Sequence, residues 1–216
     1  ICGFGSSSIW PKFLMRSFLY YLFVALDTVS SIQLSEQPCS PYPQVGEMDC
    51  RGARICGSLA LEMGTGDGNY RAKAPAVHGL WPSVPPYGNS PCVAPRSSDA
   101  DPKELARCYQ SDETIRHQTW FENHEWEKHG SCAGVTDAAD YFNQTCSLSV
   151  RPLEVMEGIR AAGGSVVDAA EQLQRLGICV KSLFDHDQIL LSACAGPDGK
   201  WKLADVSKFP SVCGER

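Results

Sequence analysis

The sequence lacks a surplus of positive charge. Its 19 lysine and arginine residues are outnumbered by 25 aspartate and glutamate residues, which gives a formal net charge of -6 at pH 7. Proteins that hold duplex nucleic acid without sequence preference are usually basic, so this balance argues against such a role. It leaves open an enzyme that meets nucleic acid in one local cleft, above all at acidic pH, where carboxylates lose charge and histidines gain it.

Internal repeats, low-complexity tracts and membrane-length apolar runs are also missing. The apolar stretch at residues 18–26 is far shorter than the ~20 residues that a membrane-spanning helix needs. With 216 residues, 43% of them hydrophobic and 20% charged, the chain suits one ordinary globular domain with a sizeable core.

The apolar stretch has the surroundings of a secretory signal peptide. It follows a short basic start at Met15-Arg16-Ser17 and precedes small residues, up to Ser31, that suit cleavage. The pattern predicts a signal peptide over residues 15–31, an upstream extension over 1–14 and a single domain over 32–216. A buried core helix is the alternative interpretation of the same stretch.

Cysteine is abundant, and its 11 copies indicate an oxidising compartment. Cleavage near Ser31 would remove Cys2, and eleven minus one leaves ten cysteines, an even set that could form five bridges. We therefore expect a protein that is secreted or held in a lysosomal or vacuolar lumen, with no membrane attachment after signal cleavage. In such a compartment Asn143, in the sequon Asn143-Gln144-Thr145, is a predicted glycosylation site.

Strand and helix patterns are mixed along the rest of the chain. Residues 55–63 and 77–81 have strand patterns, and residues 178–206 have the pattern of three short strands with turns. Because no regular strand–helix–strand repeat is present, the mixture favours an α+β fold with a central antiparallel sheet flanked by helices. The predicted helices cover residues 102–110, 112–119, 122–130, 152–162 and 166–176.

The predicted helix over residues 122–130 carries the largest group of chemically useful side chains. At about 100° per residue, it places four titratable side chains on one arc: His124, Glu125, Lys128 and His129. A solvated face with ordinary ion pairs is the plain alternative. A zinc site is disfavoured, because zinc metalloproteases space their two helical histidines four residues apart and these two are five apart.

A second histidine segment completes a recognisable pair of motifs. The segments His78-Gly79-Leu80-Trp81-Pro82 and His124-Glu125-Trp126-Glu127-Lys128-His129-Gly130-Ser131-Cys132 resemble the two active-site segments of the ribonuclease T2 family. Members of that family are acid ribonucleases with little base specificity. The resemblance covers roughly residues 55–213 and implies one catalytic domain of this type within residues 32–216.

The resemblance implies a role for each matching polar residue. His78 and His129 match the catalytic acid–base pair, and His124 matches a phosphate-binding histidine. Glu125 and Lys128 match the groups that stabilise the transition state. Which histidine is the acid stays open at this point, although His129 as base and His78 as acid is the preferred assignment.

The resemblance also implies aromatic contacts and disulfide pairs. Trp81 matches an aromatic residue that frames the site, and Phe121 stands where such enzymes stack a base. One implied bridge is Cys92–Cys132, which ties the loop after the first segment to the end of the catalytic helix, and a second is Cys179–Cys213 in the tail.

Three positions depart from the family pattern. Pro75 stands where an aromatic residue is usual, Ser83 where many members have an acidic residue that contacts a base, and Glu62-Met63 where a Gln-Trp pair is common. The catalytic set is unaffected, but these departures alter the expected base pockets.

The implied function is that of a monomeric endoribonuclease that cleaves single-stranded RNA and needs no metal or cofactor. The 2′-hydroxyl attacks the phosphate while two histidines move protons, which gives a 2′,3′-cyclic phosphate and then a 3′-phosphate. The alternatives are a non-enzymatic secreted protein on the same scaffold, which loss of His78 or His129 would indicate, and a zinc hydrolase.

Overall fold

A computed structural model describes residues 39–44, 46–97, 102, 105–110 and 119–214 of the chain. The predicted signal peptide and upstream extension lie outside the described residues. Within the described part, no helix is both long enough and apolar enough to cross a membrane.

A five-stranded antiparallel sheet is the centre of the fold. Two strands of eight residues pair along their whole length, and every residue in both is buried, so they form the middle of the sheet. They are β1 (Ile55–Glu62) and β4 (Gln188–Ala195). On the other side of β1 lies β2 (Ala76–Pro82). Different parts of β4 pair with β3 (Val180–Phe184) and β5 (Trp201–Leu203).

Helices flank this sheet, as the sequence predicts for an α+β fold. The described helices are α1 (Thr119–Lys128), α2 (Ala138–Ala161), α3 (Val166–Arg175) and α4 (Phe209–Cys213). The long helix α2 packs on β1 and β2, and α3 packs on β3 and β4. At the start of α3, Ser165 and Asp168 form a capping box, which fixes where that helix begins.

The helix predicted over residues 152–162 is really the second half of α2. The helix begins at Ala138, where the side chain of Asp137 accepts a hydrogen bond from the backbone N–H of Asp140. Proline is usually confined to the first turn of a helix, and Pro152 suggested a helix start. A buried stripe with helical spacing continues through it, from Tyr141 to Met156, and packing of that stripe outweighs the local cost of the proline.

The helix predicted over residues 102–110 is wrong for the part that the structure describes. Only a 3₁₀ turn, Arg107–Tyr109, is present there. Ala106 is extended and donates its backbone N–H to the carboxylate of Glu122, and Cys108 is tied to α2 by a disulfide. These tertiary contacts replace the local helix. The prediction over residues 112–119 lies outside the described residues except for Thr119, which begins α1.

All ten cysteines from Cys39 to Cys213 are paired, and the Cys92–Cys132 bridge is present. The implied Cys179–Cys213 bridge is wrong, because Cys179 pairs with Cys39 and Cys213 pairs with Cys194. The segment after Cys39 runs beside β3, where Gln44 donates its backbone N–H to Lys181. The short helix α4 packs on β4, which brings Cys213 to Cys194. The remaining bridges are Cys50–Cys56 and Cys108–Cys146.

Candidate active site

A bulge in β2 sets the direction of His78. Ala60 pairs with Gly79 and the next residue of β1, Leu61, pairs with Val77, so His78 is the extra residue. In a regular strand, residues three apart point to opposite faces. The bulge instead allows Val77 and Leu80 both to join the core. It likewise allows His78 and Trp81 to meet, with ring centroids 4.9 Å apart and an edge-on geometry.

Two tyrosine hydroxyls hold the outer edge of β2 at this bulge. Tyr141 donates to the carbonyl of Leu80 at 2.8 Å and accepts from its N–H at 3.2 Å, and Tyr109 donates to the carbonyl of His78 at 2.8 Å. Burial raises the pKa of both tyrosines well above 10.0, so both hydroxyls remain neutral donors. The backbone that carries His78 is therefore held by pairing with β1 on one edge and by the two tyrosine hydroxyls on the other.

The imidazole of His78 lies between two buried carboxylates. Its Nδ1 is 2.6 Å from Oε1 of Glu62, and its Nε2 is 3.4 Å from Oε1 of Glu125. Neither carboxylate is accessible to solvent, whereas 13% of the His78 side chain is. Each ring nitrogen of His78 thus faces a carboxylate oxygen.

Glu125 connects the two motifs of the sequence. Its second oxygen, Oε2, accepts a hydrogen bond of 2.9 Å from the indole nitrogen of Trp81. The carboxylate on α1 thus fixes both functional side chains of β2, which is possible only because Gly79 between them has no side chain. A Cβ at Gly79 would overlap Oε2 of Glu125 and lie 2.8 Å from the indole nitrogen of Trp81.

Replacement of Gly79 by alanine is therefore expected to displace the Glu125 carboxylate and to lower catalytic turnover about 10²-fold, the usual cost of a 1 Å misplacement in a site. The overlap is also expected to lower the free energy of unfolding by about 1–3 kcal/mol. Gly158→Ala is the matched control, because a Cβ at that helical glycine meets nothing within 4 Å. Steady-state turnover and denaturant unfolding check both effects, and wild-type turnover in Gly79→Ala would contradict this role of Glu125.

His129 lies at the end of α1 and stacks on the face of Trp81, with ring centroids 5.1 Å apart. Its backbone N–H still donates to the carbonyl of Glu125, but its φ and ψ of -128° and -51° are no longer helical. Burial lowers the pKa of His129 to about 4. The carboxylate of Glu125 opposes that change, and the neighbouring His78, His124 and Lys128 add to it.

A cleft of about 790 Å³ opens beside these rings. Four of the residues singled out in the sequence line it, namely Trp81, His124, Lys128 and His129. His78 is not among the lining residues, and its ring lies against that of Trp81, which is one of them. The exposed positions of His124 and Lys128 leave both side chains accessible to a bound anion. The structure thus places His124, Lys128 and His129 on one cleft, while His78 and Glu125 contact Trp81 on its lining.

Comparison with known proteins agrees with this arrangement. A model of the ribonuclease T2 family matches residues 54–184, more than half of the chain and both histidine segments. The chain belongs to the ribonuclease T2 family.

Two curated relatives are similar over shorter stretches. Ribonuclease T2 of Sus scrofa is 35% identical over 85 residues, which cover 33% of this chain and 40% of the relative. A ribonuclease of Aeromonas hydrophila is 38% identical over 60 residues, 28% of this chain and 25% of the relative. The chain thus spans well under half the length of either.

Not every residue suggested by the ribonuclease T2 resemblance lies in the cleft. Phe121 is only 7% exposed and belongs to the core, with its ring centroid 5.5 Å from that of His78. Its part in stacking a base stays a prediction. Trp126 is in the core, and Glu127 is exposed. Asn143 is exposed on α2.

The departures from the ribonuclease T2 pattern have structural consequences. Ser83 is 6% exposed, and its hydroxyl contacts the sulfur of Met48 at 3.7 Å, so it replaces an acidic residue with a buried group. Glu62 contacts His78 directly, which the sequence comparison did not anticipate. The signal was present, however, because a carboxylate within an otherwise apolar strand needs a partner when buried.

Other residues of the cleft gave no signal in the sequence. Lys181, Tyr87 and Phe184 line it together with the two motif segments. Burial lowers the pKa of Lys181. Tyr87 and Phe184 are 74% and 53% exposed, unusually so for large aromatic side chains. They come from loops and a strand edge far apart in the chain, so only the tertiary fold brings them together.

The described residues contain one group of three potential metal ligands close enough to share an ion, and it lies outside the cleft. It consists of Cys39, Cys179 and Asp205. Both cysteines are joined in a disulfide, so neither supplies the thiolate that a metal would bind.

Proposed function

We propose that this chain is an endoribonuclease that cleaves single-stranded RNA with His129 as general base and His78 as general acid. The observation that carries the proposal is the contrast between the two histidines, which both contact the Trp81 ring. His78 lies between two carboxylates, and His129 is desolvated and has its pKa lowered to about 4. Environments that favour opposite protonation states are what a pair of acid and base requires.

In the first step His129 takes the proton of the ribose 2′-hydroxyl. Above about pH 4 its imidazole is neutral and can accept a proton. The 2′-oxygen then attacks phosphorus, and the bond from phosphorus to the 5′-oxygen breaks. His78 gives a proton to that leaving oxygen. The products are a 2′,3′-cyclic phosphate and a free 5′-hydroxyl, and water later opens the ring to a 3′-phosphate with the two roles reversed.

The phosphorane gains negative charge during this step. Lys128 and His124 line the cleft beside His129 and are exposed, so they are placed to bind the phosphate oxygens. Removal of one preorganised donor to a developing oxyanion typically costs about 10²–10³-fold in kcat. Glu125 contributes indirectly, because it holds the His78 and Trp81 rings in place.

Single-stranded bases can stack on the aromatic side chains of the cleft. Trp81, Tyr87 and Phe184 all line it. Stacking on an aromatic ring is worth about 1–3 kcal/mol per base and accepts any base. This supports low base specificity, with RNA bound as a transient substrate.

We also propose that the chain passes through the secretory pathway to the outside or to a lysosomal or vacuolar lumen. Five disulfides among the described residues support an oxidising compartment. Glycosylation of Asn143 belongs to the same proposal. Thr145 of its sequon is buried and donates its hydroxyl to the carbonyl of Tyr141, so glycan transfer would have to precede the packing of α2.

The decisive test uses two short single-stranded substrates that differ in one atom. Protein from a secretory host, with its disulfides formed, is expected to cut the all-ribose strand in the presence of a chelator. A strand with a 2′-deoxyribose at the cleaved nucleotide is expected to remain whole, because the nucleophile is missing.

Mass spectrometry of the early products should find a 2′,3′-cyclic phosphate. Equal cleavage of the deoxy strand, or loss of all cleavage on chelation, would contradict the mechanism. No cleavage of either strand by folded protein would favour a non-enzymatic role for the scaffold.

A further inference from the structure

We propose that Glu62 is a positioning residue for His78, and this inference rests on the proposed function. Glu62 is the last residue of β1 and pairs with Ala76 and Gln188 on its two neighbouring strands. Its side chain is inaccessible to solvent, and its Oε1 lies 2.6 Å from Nδ1 of His78. The two atoms form an ion pair whenever the imidazole is protonated, with the carboxylate facing Nδ1.

The contact with Glu62 determines which ring nitrogen does the chemistry. If Nδ1 keeps its proton against Glu62, the exchangeable proton of His78 is the one on Nε2. The Nε2 atom has a longer contact, 3.4 Å to Glu125, and so is freer to release its proton. In the cleavage step the Nε2–H bond breaks and a bond from hydrogen to the 5′-oxygen forms. Glu62 remains a carboxylate throughout.

The charge of Glu62 matters as well as its geometry. A glutamine, which is common at this position in the family that the chain resembles, could also accept a hydrogen bond from Nδ1 but would carry no charge. Glu62 therefore adds a second compensating carboxylate to the one that Glu125 supplies. We expect the acid to remain protonated, and the enzyme active, to higher pH than it would be with glutamine there.

The other groups around His78 do not take over this role. Tyr70 stacks at 6.0 Å between ring centroids and offers no carboxylate to the imidazole. Tyr109 binds the backbone carbonyl of His78 and stays neutral. The titratable or charged groups near the imidazole from each neighbouring element are Glu62 on β1, Glu125 on α1, His129 after α1, Tyr109 in the 3₁₀ turn and Tyr70 in the loop before β2.

The test is the pH dependence of Glu62→Gln in the full-length, disulfide-complete protein. The alkaline limb of the profile of kcat against pH is expected to move to lower pH by about one to three units, the usual effect of one nearby opposite charge. The acidic limb and KM are expected to stay close to wild type, because the cleft itself is untouched. A role in folding alone would lower the amount of active enzyme without moving either limb.

Glu122→Gln is the matched control. Glu122 is equally buried and lies on α1, but its carboxylate binds the backbone N–H of Ala106 rather than a histidine. Its pH profile is expected to match that of the wild type. An equal shift in both variants would overturn the proposal, because loss of any buried carboxylate would then explain it.

A second measurement tests the proposal even if the Glu62→Gln variant does not fold. In the wild-type protein labelled with ¹⁵N-histidine, Nδ1 of His78 should carry a proton at every pH across the activity range, while Nε2 titrates. The His78→Ala variant assigns the signals. A ring that keeps its proton on Nε2 and titrates at Nδ1 would overturn the proposal.

The two proposals can fail separately. Full activity of His78→Ala would contradict the proposed acid role of His78 and therefore the proposed mechanism. Suppose that His78→Ala is inactive but that the alkaline limb of folded Glu62→Gln is unshifted. That result would contradict the role of Glu62 and leave the proposed mechanism intact.

Discussion

Replacement of His129 by alanine is expected to lower kcat for cleavage of single-stranded RNA by about 10²- to 10⁴-fold, the usual contribution of one general base. Among the described residues, the ring of His129 makes its one aromatic contact with Trp81. Folding should therefore survive the change. Initial rates with chelator present, together with a circular dichroism spectrum, check both parts.

The pH dependence of the cleavage rate tests directly whether His129 is the base. Burial lowers the pKa of His129 to about 4, so the neutral base is lost only as the pH falls through that value. Wild-type activity should thus rise with pH around 4 and fall again at higher pH, once the acid has lost its proton. The residual activity of His129→Ala should have no inflection near pH 4. An unchanged acidic limb would mean that another group is the base.

His78→Ala is expected to cause a loss of similar size, and the double variant little more than either single one. Two groups that act in one step as a unit are strongly non-additive when removed. The control is His186→Asn, because His186 is exposed and stacks on Tyr70 away from the cleft lining. Asparagine tolerates the positive φ of 61° at this position. Fully multiplicative losses in the double variant would indicate that the two histidines act in separate steps.

Much of the candidate site could be predicted because its residues are close in sequence. The helix that carries His124, Glu125 and Lys128 needs only helical periodicity to bring them together. The position of His78 is different. Its direction depends on the bulge opposite Ala60. An isolated glycine such as Gly79 can mark a bulge, but it does not tell which side chain is turned or what that side chain meets. Nothing short of the fold could therefore reveal that His78 meets both Glu62 and Glu125.

The fold was predictable where local patterns and tertiary packing agree. The strands of the tail and the helix α3, with its capping residue Ser165, lie where the sequence predicts them. The prediction failed at Pro152, where local propensity indicated a start but the buried stripe of α2 continues. It failed again for the partner of Cys179, because pairing depends on which segments lie side by side, and residues 39–44 reach β3 from the other end of the chain.

Removal of the Cys39–Cys179 bridge, by alanine at both positions, is expected to lower the free energy of unfolding by about 5 kcal/mol. This bridge joins residues 140 positions apart, the longest loop among the five. A disulfide stabilises mainly by restricting the unfolded chain, and the restriction grows with the length of the closed loop. Chemical denaturation, followed by fluorescence of the tryptophans, measures the loss.

The Cys50–Cys56 bridge is the matched control, because it closes a loop of only 6 positions. The same relation gives about 2 kcal/mol for its removal. In the native state the segment after Cys39 stays attached without its bridge, since Gln174 donates to the carbonyl of Ser40 and Gln44 donates to that of Lys181. RNA cleavage by the Cys39/Cys179 variant should therefore persist under native conditions. Equal losses of stability for the two bridges would contradict the chain-entropy argument. Loss of cleavage by a folded Cys39/Cys179 variant would mean that the Cys39–Cys179 bridge also shapes the cleft through Lys181.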